Sequence, residues 1–300
     1  MHSNKLIYKT QGAIFALVIV LVVLIWFFSL TTSAYGQTIY FKSNAETGDL
    51  SEWNRTDGIP TGGGATYFGN GCGGYCVDPS SLIIPGAIET QTAIVHSGNY
   101  AIRCHLENPA YANHAKLLRW KINISEGYYS AWIYFDSNFR SDQGINIIQW
   151  KTAPDVCPSC EPLMVIEAYK RPWDGRRLLR LIYWPAVKGI IPGPPGWAQL
   201  EPGVAIPDNS WIFVEAYFKQ HPTDGKIVVW QDGKELFNIS GLNTTETVGG
   251  SCFYSAFGVG AYSSESDFPN QTIYFDDILV TKSRVFSSFR QGPTNLRIIP

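Results

Sequence analysis

Gln149 and Lys151 stand two residues apart in an apolar run, and the same spacing joins Glu167 to Tyr169, Tyr217 to Lys219 and Arg103 to His105. Residues two apart on a β-strand project from one face, so each pair sets a polar group beside a second polar or aromatic one. Arg180 and Trp184 share a face in the same way, and Trp132 and Tyr134 continue an alternating row with Tyr128 and Ser130. Tyrosine and tryptophan combine an apolar ring with a hydrogen-bonding edge, which suits the faces and hydroxyls of sugars. Gathered on one sheet, these residues would line a polar-aromatic groove for a glycan; left apart, they are ordinary solvent-facing residues of an outer sheet. Glu167 and Glu215 also allow an acid/base pair for glycoside hydrolysis. The closely spaced acids of an E-x-D-x-E strand are missing, however, and Glu265-Ser266-Asp267 lacks a third carboxylate.

The elements that must position these groups are strands. No long stretch after residue 36 has helical periodicity; short runs rich in Val, Ile, Tyr, Phe and Trp alternate with Gly/Pro/Asn/Asp clusters. The pattern predicts strands at Thr38–Phe41, Tyr100–Leu106, Ala115–Ile122, Tyr128–Phe135, Ile145–Lys151 and Leu163–Tyr169, then at Leu178–Trp184, Trp211–Lys219, Lys226–Gln231, Glu235–Ile239, Phe253–Tyr262 and Thr272–Lys282. Asp232-Gly233 marks a two-residue hairpin, whose turn needs positive φ at both positions. Glycine-rich Ile59 to Ser81 and proline-rich Pro185 to Asp208 read as long loops. So many strands without helices call for an all-β, two-sheet jelly-roll sandwich. In Thr272–Lys282, adjacent Asp276 and Asp277 fall on opposite faces, so at least one carboxylate meets the core and needs compensation.

Composition narrows the setting. A formal net charge of −2 argues against a nucleic-acid partner. Charged residues make up 16% of the chain and aromatics 14%, which suits a β-sandwich and a sugar ligand alike. Lys5 and Lys9 precede an apolar run from Ala13 to Leu30, and no acid occurs before Glu46. This is the pattern of a signal peptide or signal anchor over residues 1–36. The run is long enough for the roughly 20-residue helix that crosses a bilayer, while Ala34-Tyr35-Gly36 offers a cleavage site. Residues 37–285 are then expected to form one extracellular sandwich, secreted or membrane-anchored, with 286–300 as a tail. Six cysteines suit an oxidising compartment. Cys72 with Cys76 and Cys157 with Cys160 are candidate local disulfides, leaving Cys104 and Cys252 to pair across strands, although other connectivities are open. Asn54, Asn123, Asn238, Asn243 and Asn270 begin N-glycosylation triplets. His96, His105, His114 and His221 show no metal-ligand spacing.

An ordered series of short segments carries a resemblance. These are Glu46 to Trp53 (ETGDLSEW), His96 to Arg103 (HSGNYAIR), Tyr129 to Phe139 (YSAWIYFDSNF) and Ile148 to Lys151 (IQWK), then Val228 to Lys234 (VVWQDGK), Phe257 to Tyr262 (FGVGAY) and Ile273 to Ile278 (IYFDDI). In that order they resemble concanavalin A-like jelly rolls, and within them polysaccharide lyases similar to heparin lyase and alginate lyase. Such lyases remove the proton α to a uronate carboxylate and expel the 4-linked sugar. The resemblance implies that Gln149, with Lys151 at the position of a family histidine and Arg103 on the strand that usually supplies an arginine, would neutralise the carboxylate. Tyr262 would be the base, and no organic cofactor is implied. Trp132, Tyr134, Glu167, Tyr169, Arg180, Tyr217, Lys219 and His105 would line the groove. It also implies a structural calcium ion on Glu46 and Asp277, whose oxygens suit that ion. The lysine expected two residues before Gly260 is replaced by Gly258. With the missing histidine, this keeps open a second reading: a non-catalytic glycan-binding module or surface adhesion protein.

Overall fold

The computed structural model describes residues 37–53, 88–106, 114–119, 122, 124–142, 144–152, 162–183, 198–200, 203–247, 250–251, 254–262 and 270–286. From Ile39 onward the chain forms one compact unit, whose first part contains β1 (Ile39–Ser43), a short 3-10 turn at Ser51–Trp53, β2 (Ile88–Gln91), β3 (Ala101–Leu106), β4 (His114–Arg119), β5 (Glu126–Phe135), β6 (Ile145–Thr152), β7 (Pro162–Lys170) and β8 (Arg177–Tyr183). Then follow β9 (Ala198–Leu200), β10 (Ser210–Lys219), β11 (Gly225–Gln231), β12 (Lys234–Leu242), β13 (Glu246–Thr247), β14 (Gly250–Ser251), β15 (Tyr254–Tyr262) and β16 (Gln271–Thr281). Every strand expected from the sequence is present, with ends moved by a few residues. β2, β9, β13 and β14 were not expected, and β9 lies inside the stretch read as a proline-rich loop. Asp232 and Gly233 turn from β11 into β12 with φ of 50° and 79°.

Two antiparallel sheets form the sandwich. One runs β12-β11-β10-β5-β16-β3-β2 with β1 also on β16; the other runs β4-β15-β6-β7-β8-β9. Alternation sets which side chains enter between them. Tyr129, Ala131, Ile133 and Phe135 of β5 face the core, as do Ile148 and Trp150 of β6 and Ile166 and Ala168 of β7. Trp150 crosses the gap to stack on Phe218 of β10, with ring centroids 5.0 Å apart. Each such buried side chain contributes on the order of 2 kcal/mol, so Trp150 in the core holds its neighbour Gln149 on the outer face of the second sheet.

Two expectations are corrected. In β16 the pairing register with β5 shifts between Asp276 and Leu279, and Asp277 takes a φ of 45°. This bulge breaks the alternation, so Ile273 and Phe275 face the core before it and Ile278 and Val280 after it. Cys104 is a free, fully buried thiol rather than half of a disulfide. It lies on the core face of β3 among the hydrophobic side chains, and burial pushes its pKa well above the ordinary thiol value. The proposed partner Cys252, the other four cysteines, Trp184 and the apolar run 13–30 lie outside the described residues. Among the described residues, no helix is long and apolar enough to cross a membrane.

Candidate functional site

Polar side chains converge on the outer face of the six-stranded sheet because each is flanked in its strand by core residues. Ala115 and Leu117 flank Lys116, Ile166 and Ala168 flank Glu167, and Leu179 and Leu181 flank Arg180. Cross-strand register then aligns them. Tyr262 of β15 stands opposite Asn146 of β6, Asn146 opposite Glu167 of β7, and Glu167 opposite Arg180 of β8. Gln149 stands opposite Gly258 on one side and Val165 on the other.

Two contacts organise this face. Lys116 Nζ donates to Gln149 Oε1 at 2.9 Å, and Arg180 Nε donates to Glu167 Oε2 at 2.6 Å. Lys116, Asn146, Gln149, Glu167, Tyr169 and Arg180 are all buried. The Arg180 guanidinium lies 4.7 Å from the centre of the Tyr169 ring. Burial raises the pKa of Glu167, while the charges of Arg180 and Lys116 oppose the rise. The backbone at Gly144 closes against this ion pair. With φ of 101°, a Cβ there would meet Arg180 Nη2 at 2.5 Å and Glu167 Oε2 at 2.6 Å, so only glycine fits. The Nε2 of Gln149 is buried and has no hydrogen-bond partner among the described residues. Leaving such a donor unsatisfied is costly, so an acceptor brought here would gain a hydrogen bond.

Gln149, Glu167, Tyr169 and Arg180 are thus brought together as the sequence implied. Lys151 and Tyr262 occupy the expected strands, β6 and β15, and their backbones are described. The other expected groove residues are on the opposite side of the molecule, because β3, β5 and β10 belong to the eight-stranded sheet and these residues face away from the core. Arg103 pairs with Glu89 at 2.7 Å, His105 meets Thr272 Oγ1 at 2.7 Å, and Lys219 pairs with Asp224 at 2.6 Å. Tyr217 hydrogen-bonds to Glu126. Trp132 stacks on His96 at 3.8 Å, and Tyr134 packs against Trp211 and Tyr274. Glu215 belongs to this second face too, where it accepts from Arg284 Nε at 2.7 Å and Val285 N at 2.8 Å. It forms no acid/base pair with Glu167.

Lys116, Asn146 and Gly144 were missed by the sequence reading. Lys116 carried a usable signal, since a lone cation between Ala115 and Leu117 must leave the core by the same alternation that placed Gln149.

The carboxylates of the implied calcium pair, Glu46 and Asp277, tie down one loop together with Asp276. Glu46 Oε1 accepts the N–H groups of Asn99 and Tyr100 at 2.8 and 3.0 Å. Asp276 Oδ2 accepts those of His96 and Ser97 at 3.0 and 3.1 Å. Asp277 meets His96 Nδ1 at 3.1 Å. Burial, then the charge of Asp277, pushes the Asp276 carboxyl up to about 8. Burial acts to raise Asp277 as well, but hydrogen bonds from His96 and Ser97 outweigh it and hold its carboxyl below the usual range. His96, Asp276 and Asp277 lie close enough to share an ion. Glu46 is outside that group, although the donor chemistry of Glu46 and Asp277, hard carboxylate oxygen, fits calcium.

Two antiparallel sheets packed face to face around one core make the molecule a jelly-roll sandwich. The chain matches the polysaccharide lyase family over residues 45–279 and belongs to that family. Among solved structures it is similar to the endo-β-1,4-glucuronan lyase of the fungus Trichoderma reesei, with 14% identity and a TM-score of 0.50 over 65% of this chain and 87% of that one. It is also similar to the alginate lyase Aly36B, with 13% identity and a TM-score of 0.50 over 81% of this chain and 97% of that one. At such identity the likeness is one of fold. No curated protein sequence matches the chain significantly.

Proposed function

We propose that this chain is an extracellular polysaccharide lyase that cleaves a uronate-containing polysaccharide by β-elimination. The observation that carries the reading is the Lys116–Gln149 contact with its unsatisfied amide donor, set beside the Glu167–Arg180 pair and Tyr169 on one sheet face. A uronate carboxylate placed against Gln149 receives hydrogen bonds where negative charge grows as the α proton leaves. Tyr262, in register with Asn146 on the neighbouring strand, takes that proton as base. The C4–O bond then breaks, its electron pair leaves with the 4-linked oxygen, and a proton donor completes the departing hydroxyl. A C4=C5 double bond remains on the sugar, and no water is consumed.

The export reading rests on Lys5, Lys9 and the apolar run that follows. Asn238 and Asn270, both exposed, are compatible with glycosylation outside the cell. The test is incubation of the purified chain with glucuronan, alginate and heparin-type polymers, following the ultraviolet absorbance of the unsaturated product. Product is expected from at least one of them and from none after carboxyl reduction. Measurable binding with no product from any uronate polymer would instead establish a non-catalytic glycan-binding module.

For the calcium ion the proposed role is structural. Glu46 and Asp277 fasten opposite ends of the His96–Tyr100 loop, and an ion on their oxygens would clamp it further. Calcium is expected to raise the melting temperature, and Asp277→Asn to abolish the increase. A melting temperature indifferent to both calcium and chelator would leave the carboxylates as hydrogen-bonded loop ties only.

A further inference from the structure

Lys116 and Gln149 meet across a sheet in which their strands are not neighbours: β15 runs between β4 and β6. The contact spans it because β15 carries glycine there. Gly258, in register with Gln149, has no side chain to intervene, and a Cβ on it would lie 2.3 Å from Leu118 Cδ2 and 3.2 Å from Gln149 Cγ. Gly260 faces Lys116, and a Cβ on it would lie 2.5 Å from Lys116 Cα. The two glycines leave the channel through which the lysine side chain reaches the amide.

The chemistry of this contact is one-sided. A lysine ammonium donates and never accepts, whereas a glutamine amide has one accepting end and one donating end. Lys116 therefore captures Oε1 and turns the NH2 end away from itself. That end is buried and meets no acceptor among the described residues. Without the lysine, the amide could turn over and present oxygen, which repels a carboxylate.

We infer that Lys116 is a positioning residue: it locks the Gln149 amide so that its two N–H donors face a substrate carboxylate, and so selects acidic sugar units over their neutral counterparts. The inference rests on the lyase reading and deepens it by assigning the choice of uronate to one contact. Lys116 need not touch the substrate. Its charge already acts on Gln149 Oε1 and reaches Glu167.

The experiment measures binding of tetrasaccharides of glucuronate and of mannuronate, each beside its carboxyl-reduced counterpart, to four forms of the full chain. These are wild type, Lys116→Met, Lys116→Arg and Gln149→Glu, with a thermal melt for each. Wild type is expected to prefer an acidic tetrasaccharide over its reduced form at least tenfold. Lys116→Met should lose most of that preference while still binding the reduced sugar within a few-fold of wild type. Lys116→Arg, which still only donates, should keep the preference. Gln149→Glu should pair with Lys116 and reverse the preference, because a carboxylate now meets the ligand. If Lys116→Met folds and keeps the full preference, the positioning role is wrong and the lyase reading stands. If Lys116→Met does not fold, the arginine and glutamate variants decide: loss of preference in the first or its retention in the second overturns the inference. Failure of wild type to bind either acidic tetrasaccharide would overturn the uronate reading and this inference with it.

Discussion

Gln149→Ala is expected to lower kcat/KM on a uronate polymer by roughly 100- to 1,000-fold, the scale of losing one pre-set donor at a site of developing charge. The loss should fall mainly on kcat. A carboxylate carries its charge in the ground state, but electron density on it increases as the α proton departs, so the amide binds the transition state more strongly. The fold should tolerate the change. Gln149 lies on the outer face, and the core beneath it is built by Ile148 and Trp150. Steady-state kinetics with a melt of the same sample checks this. A reduction of only a few-fold in a folded variant would remove Gln149 from the reacting centre.

The second large effect is on stability. Arg180→Met leaves Glu167 buried without its 2.6 Å partner. Breaking such a pair from one side costs about 3 kcal/mol, and for a domain of this size that is a fall in melting temperature of roughly 6–12 °C. The pH dependence has a definite sign. Burial already raises the Glu167 pKa, and the Arg180 charge opposes the rise, so its removal raises the pKa further. A carboxyl that binds its proton more tightly folded than unfolded loses stability as pH rises. The deficit is therefore greatest above the raised pKa and shrinks as pH falls through it. Replacing both partners, as Glu167→Leu with Arg180→Met, should restore most of the stability by removing the stranded charge. Melts of the three proteins at two pH values test this, and an Arg180→Met melt equal to wild type at neutral pH would contradict it.

Period-two alternation made much of this legible. It separated Gln149 from Trp150, Glu167 from Ile166 and Arg180 from Leu179, and it set Trp132 and Tyr134 opposite the core-facing residues of β5. It could not say which sheet a strand joins. That choice depends on pairings between segments far apart in the chain, such as β5 with β16 or β4 with β15, and two outer faces look alike in sequence. Arg103, His105, Trp132, Tyr134, Tyr217 and Lys219 were consequently assigned to the groove although the eight-stranded sheet carries them on its far side. The bulge at Asp277 was hidden for a related reason. An aspartate at positive φ leaves no fixed mark in the residue pattern, yet it inverted the faces of Ile278 and Val280. The Lys116–Gln149 contact needed the glycines of β15 to be seen as a gap between two strands, which follows only from the sheet order.

The molecule thus offers two contrasting outer faces. One holds a buried row of amide, cations and carboxylate, and the other holds aromatic rings and ion-paired side chains. A crystal structure of the Tyr262→Phe variant with a bound uronate tetrasaccharide decides between them. The expected result is a sugar carboxylate at hydrogen-bond distance, about 3 Å, from Gln149 Nε2, with the chain lying across β15, β6 and β7. A tetrasaccharide stacked instead on Trp132 and Tyr134, with the Gln149 amide unoccupied, would contradict the assignment of the site.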